Sequence, residues 1–123
     1  MAANILVIDD DQAIRDAFDL ALSESGYIVR LADNGLTGIE MAQAERPDMI
    51  FLDLKMPVMN GVEALRHLNN MDGSLKIYIV TAFAREFMDQ LQAARTEGAQ
   101  FQLAAKPLLP QQIRDIAHAA LGS

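Results

Sequence analysis

The chain has no cysteine, which excludes a disulfide framework and a thiolate zinc site and is compatible with a reducing compartment. No apolar stretch reaches membrane-spanning length. The only early apolar run, Ile5 to Ile8, ends in acids, so no signal peptide is expected at the N-terminus. Bases are scarce: 10 Lys plus Arg against 17 Asp plus Glu leave a net charge of −7. That balance disfavours direct binding of nucleic acid or an anionic membrane by the domain as a whole. There is no linker, low-complexity tract or block of like charge. What is present is 123 residues at 51% hydrophobic content, enough to bury a core without a metal or disulfide staple. A single domain over residues 1–123 is expected.

Short apolar runs recur at Ile5 to Ile8, Tyr27 to Leu31, Met49 to Leu52, Ile77 to Val80 and Phe101 to Ala105. Several are apolar almost without interruption, the pattern of parallel strands buried on both faces. Between them lie helically spaced apolar residues: Ile14, Ala17, Phe18, Ala21 and Leu22; then Val62, Leu65 and Leu68; finally Ile113, Ile116, Ala117 and Ala120. Gly26 is a stop for the first helix, ADNGL at Ala32 to Leu36 a start for a second over Leu36 to Gln43, and Glu86 to Glu97 a helix ended by Gly98. Strand starts recur roughly every 22 to 28 residues, the length of one strand plus its crossover helix. A five-stranded parallel α/β domain, doubly wound, is predicted.

In that architecture all strand ends share one rim, and ligands bind there. The first strand delivers Asp9, Asp10 and Asp11, the third Asp53, the fourth Thr81 and the fifth Lys106. Adjacent carboxylates repel one another unless a hard cation sits among them and reverses the local field. The rim therefore predicts a Mg²⁺ or Mn²⁺ site with a fixed ammonium beside it. Asp11 is assigned instead to capping the helix that starts near Gln12. Gly61 is expected to serve a turn with positive φ. His67 and His118 do not form a motif of metal or catalytic spacing and are read as surface or boundary residues.

IDD at Ile8 to Asp10, FLDLKMPVMNG at Phe51 to Gly61, VTAF at Val80 to Phe83 and AKP at Ala105 to Pro107 together resemble the receiver domain of two-component response regulators. Each motif alone is weak; four in order at strand ends are specific. The resemblance spans essentially the whole chain and is nearest to single-domain phosphorelay and chemotaxis regulators. It implies the flavodoxin-like (βα)5 fold with strand order 2-1-3-4-5. It makes Asp53 the acceptor of a phosphoryl group from a histidine kinase or histidine phosphotransferase in the cytoplasm, a signalling role and not an enzyme acting on a separate substrate. Asp10 and Asp53 would bind Mg²⁺ directly, Asp9 through water, and the Lys55 backbone carbonyl would complete the protein ligands. Lys106 would pair with Asp53 and then with the phosphoryl group, Thr81 would donate to another phosphoryl oxygen, and the Lys106–Pro107 peptide would be cis. The side chains of Lys55 and Phe83 would tune the lifetime of the phosphoryl group. Partner contact is expected around Asp53 and the first helix, with Gln12 and Arg15 as surface positions.

The family pattern has an aromatic three residues before the lysine, where this chain has Leu103. Phe101 could replace that ring through a bulge, or the switch could be built differently. Other readings compete. A haloacid-dehalogenase-like phosphatase would use Asp9 and Asp11 as its D-x-D pair but leaves Asp53 unexplained. A flavodoxin-like cofactor binder would need a phosphate-cradling loop where DDDQ repels phosphate. A receiver-like interaction module without phosphorylation would have no use for the full acid set.

Overall fold

The computed structural model describes residues 2–122. Five strands and five helices alternate: β1 Asn4–Ile8, α1 Gln12–Glu24, β2 Ile28–Ala32, α2 Gly35–Ala44, β3 Met49–Leu52, α3 Gly61–Met71, β4 Lys76–Thr81, α4 Met88–Thr96, β5 Gln102–Ala105 and α5 Pro110–Leu121. The strands form one parallel sheet in the order β2-β1-β3-β4-β5, as expected. Chain order reverses between β1 and β3, and the loops that follow these two strands diverge there.

Residue alternation divides each central strand between two cores. Leu6, Ile8, Ile50, Leu52 and Ile79 pack with Val62, Leu65, Leu68 and Leu91 on the side of α2, α3 and α4. Ile5, Val7, Met49, Phe51 and Val80 pack with Phe18, Leu22, Ile113 and Ala117 on the side of α1 and α5. Every residue of β3 is buried, which is why its run carries no polar alternation.

Capping sets the boundaries. The Asp11 side chain accepts from the Ala13 amide at the start of α1, and Asn34 does the same for Thr37 at the start of α2. Gly26 and Gly98, with φ of 89° and 104°, follow the last turns of α1 and α4. Tyr27 is not in β2 because its amide donates to Leu22 O and closes α1. α4 begins two residues later than the expected Glu86: Phe87 offers no side-chain cap, and residues 84–87 form a turn.

Candidate functional site

The parallel ladders run one residue past the strands and fix the site's backbone. Asp9 N donates to Ala32 O at 3.1 Å, Asp53 N to Ile8 O at 3.0 Å, and Lys106 N to Thr81 O at 3.0 Å. Asp9, Asp53, Thr81 and Lys106 are thereby brought to one rim, as the sequence predicted. The Asp9 and Asp53 residues are each 4% exposed and Thr81 1%, whereas Asp10 stands in solvent.

Carboxylate oxygens of Asp9, Asp10 and Asp53 lie within 4.8 Å of one another. The Lys106 ammonium faces two of them, 2.7 Å from Asp9 Oδ2 and 3.4 Å from Asp53 Oδ2. Its nearer partner is thus Asp9, not the Asp53 expected from sequence. Asp9 Oδ1 accepts from the Asp11 amide at 2.9 Å, so both Asp9 oxygens are engaged. Asp53 Oδ1 accepts from the Leu54 amide at 2.8 Å.

Burial raises the Asp53 pKa above its ordinary 3.8, and the Asp9 charge adds to this; the Lys106 charge and the Leu54 amide pull the other way without cancelling it. For Lys106, burial disfavours the ammonium, but its hydrogen bond to Asp9 and the charges of Asp53 and Asp9 outweigh that and raise its pKa. Three carboxylates are gathered at the rim with one ammonium, which reaches two of them. Close-set oxygen donors with surplus negative charge fit a hard divalent cation. Asp9, already doubly hydrogen-bonded, suits a water-mediated role better than direct ligation.

Two expectations need correction. Gly61 has no positive φ; among the described residues that conformation belongs to Gly26, Gly98 and Gly122, and to Val58 alone among non-glycines. Gly61 is required by proximity: a Cβ there would lie 2.6 Å from Leu54 Cα and still closer to the Asp53 carbonyl oxygen. Its amide donates to Leu54 O at 2.7 Å, so the first turn of α3 backs directly onto the Asp53–Leu54 peptide. Arg15 is half-buried, and its Nη1 donates to Asp9 O at 2.7 Å. It braces the acidic loop, which leaves exposed Gln12 as the surface position on that helix.

Phe101 does not approach the rim. It precedes β5, is buried on the α3–α4 side, and carries the Arg95 guanidinium 4.1 Å from its ring centroid. The β4–β5 register runs unbroken from Tyr78↔Gln102 to Thr81↔Ala105, with no bulge to turn the ring. Leu103 is 38% exposed. The Lys106–Pro107 peptide is cis. Asp11, spent on its cap, is not in the acid cluster, so the D-x-D pair of the phosphatase reading is not assembled. His67 is exposed, and exposed His118 meets the Tyr27 ring edge-on at 5.8 Å.

Sequence reasoning missed Glu86. Its Oε2 lies 3.5 Å from the Lys55 ammonium, which also stands 4.6 Å from the Phe83 ring centroid. No local signal marks a partner 31 residues away.

Comparison with known proteins agrees with this geometry. The family model described as response regulator receiver domain matches residues 5–118. The chain is 34% identical over 115 residues to sporulation initiation phosphotransferase F of Bacillus subtilis, covering 94% of this chain and 90% of that one. It is 38% identical over 99 residues to response regulator MprA of Mycobacterium ulcerans, of which those residues span only 42%. Among solved structures, a CheY-like receiver domain protein of Methanospirillum hungatei superposes with TM-score 0.89 at 26% identity, over 99% of this chain and 95% of that one. Chemotaxis protein CheY4 of Vibrio cholerae gives 0.85 at 27% identity, over 98% and 99%. No helix among the described residues is long and apolar enough to cross a membrane. With its acids, threonine and lysine held at the strand ends of a 2-1-3-4-5 sheet, and with a relative matched along nearly its full length, the chain belongs to the response regulator receiver domain family of two-component signalling.

Proposed function

We propose that Asp53 accepts a phosphoryl group from a phosphohistidine on a histidine kinase or histidine phosphotransferase, and that the new charge changes which protein the domain binds. The observation that carries this reading is the convergence of buried Asp53 with Asp9, Asp10 and Lys106 at the β1/β3 switch point. An Asp53 oxygen forms the bond to phosphorus as the bond to the donor imidazole nitrogen breaks and its electron pair returns to the ring. Asp53 is 4% exposed, so less water must leave its oxygens before attack than on a surface carboxylate.

Positioning and charge neutralisation are the chief demands of phosphoryl transfer. Asp10 and Asp53 directly, Asp9 through water and the Lys55 carbonyl would hold Mg²⁺ or Mn²⁺. Such an ion, when bound, neutralises charge on the phosphoryl oxygens. Lys106, already within reach of Asp53, pairs with a phosphoryl oxygen. The Thr81 hydroxyl accepts from the Phe83 amide at 3.0 Å, which leaves its own hydrogen to donate to a second oxygen. The chain thus transfers the group only to itself and later hydrolyses it, without acting on a separate substrate. Its net charge of −7 favours protein partners over nucleic acid or an anionic membrane.

The test is mass spectrometry after incubation with a small phosphodonor and Mg²⁺. One phosphoryl group on Asp53 is expected, abolished by EDTA and by Asp53→Asn. Equal labelling of Asp53→Asn would refute the assignment.

A further inference from the structure

Side chains join the loop after β3, which begins at Asp53, to the loop after β4, which follows Thr81. Lys55 lies two residues beyond Asp53, and its ammonium stands over the Phe83 ring, 4.6 Å from the centroid. Phe83 lies two residues beyond Thr81, and its amide is held by the Thr81 hydroxyl at 3.0 Å. Glu86, in the turn before α4, takes the outer end of the Lys55 ammonium at 3.5 Å. A free lysine chain samples many rotamers. A ring beneath it and a carboxylate at its tip select those that lie across the two loops.

Resting on the reading of Asp53 as phosphoacceptor, we propose that Glu86 is a positioning residue for the lifetime of the phosphoryl group. By keeping the Lys55 ammonium on the Phe83 ring it holds the Lys55–Phe83 pair closed over the approach to Asp53 and slows hydrolysis. In that hydrolysis a water oxygen bonds to phosphorus as the phosphorus–oxygen bond to Asp53 breaks. The electron pair returns to the Asp53 carboxylate, inorganic phosphate leaves, and the water's proton passes to solvent. The water must arrive in line with the breaking bond. Glu86 touches none of the reacting atoms and acts only by placing Lys55. Lys55 and Glu86 are both about half exposed, with side chains at 54% and 53%, so the effect is that of an exposed ion pair and is sensitive to salt.

The experiment follows phosphate release from the phosphorylated chain in wild type, Glu86→Gln, Lys55→Ala and the double variant, at low and high salt. Glu86→Gln should speed release by about two- to fivefold, the range an exposed ion pair supports. It should add nothing when Lys55 is already alanine. High salt should shorten the wild-type lifetime toward that of Glu86→Gln and leave the variant unchanged, a response that a merely structural role would not give. In the metal-free, unphosphorylated protein, the Lys55 ε-methylene protons should show an upfield ring-current shift that diminishes in Glu86→Gln. Unchanged or slower release in Glu86→Gln, or an acceleration that persists without Lys55, would overturn the proposal. A wild-type chain that takes no phosphoryl group on Asp53 would overturn the phosphoacceptor reading and this one with it. A labelled Asp53 whose decay ignores Glu86 would overturn this one alone.

Discussion

Without a divalent cation, replacing Asp53 by asparagine should make the domain more stable. Burial is the largest penalty on the ionised Asp53, about 3 kcal/mol for a carboxylate held out of water. Repulsion from Asp9 adds to it; across no more than 4.8 Å and at an effective dielectric constant of about 20 it costs about 3.5 kcal/mol. The attraction to Lys106 across 3.4 Å is worth about 5 kcal/mol on the same scale. The two penalties exceed the attraction by about 1.5 kcal/mol, in the direction of the raised Asp53 pKa. Asparagine keeps an oxygen for the Leu54 amide, and Lys106 is not orphaned because Asp9 Oδ2 stays at 2.7 Å. The expected gain is therefore about 1–2 kcal/mol, or about 5 °C in Tm, by thermal or urea unfolding in EDTA. Saturating Mg²⁺ should reverse the order, since an ion at a hundred times its Kd stabilises the wild type by about 2.7 kcal/mol. The pH dependence has a definite sign. The raised Asp53 pKa means that the folded state holds the proton more tightly than the unfolded one. The penalty is complete above the folded pKa, eases as pH falls through it, and is gone below the unfolded value near 3.8. The stability gap between Asp53→Asn and wild type should close over that window. A variant less stable than wild type in EDTA at neutral pH would refute the electrostatic account of the site.

Gly61→Ala should destabilise by about 3 kcal/mol or leave the chain unfolded, because its Cβ would strike the Asp53–Leu54 backbone; circular dichroism on thermal unfolding measures this. Val58 holds a β-branched side chain at φ 72° while 78% exposed, so Val58→Gly should stabilise by about 1 kcal/mol in urea unfolding. Lys106→Ala should leave Mg²⁺ binding largely intact, by fluorescence or NMR titration, yet remove the phosphorylation-induced NMR shifts beyond the site, since no cation remains to follow the new charge on Asp53. An unaltered shift pattern in that variant would count against this role.

The parts of the fold that were legible are those where burial alone dictates residue type. β3 could be read at Met49–Leu52 because both of its faces are covered, and the four rim residues could be read because each polar side chain ends an apolar run. Tertiary contact hid the rest. Tyr27 looks like a strand residue until its amide closes α1, and Glu86 looks helical until the next element starts without a cap. The demand for glycine at 61 is legible, but its cause is distance to a peptide eight positions back, not a dihedral angle. Likewise the sequence brings Lys106 to the acids, but the choice of Asp9 as nearer partner depends on side-chain reach in three dimensions.

The ladder bonds that carry the sheet one residue past its strands do not hold their residues equally. Asp53 N bonds to β1 from β3, both inside the sheet, so freeing it means parting the centre of the fold. Lys106 sits on β5, an edge strand bonded on one side only, and such a strand can open while the centre stays closed. Amide exchange is therefore expected to be slower at Asp53 than at Lys106. Detachment of β5 alone would keep the acids in register and take away their cation, so the rim loses its charge balance before the domain loses its core.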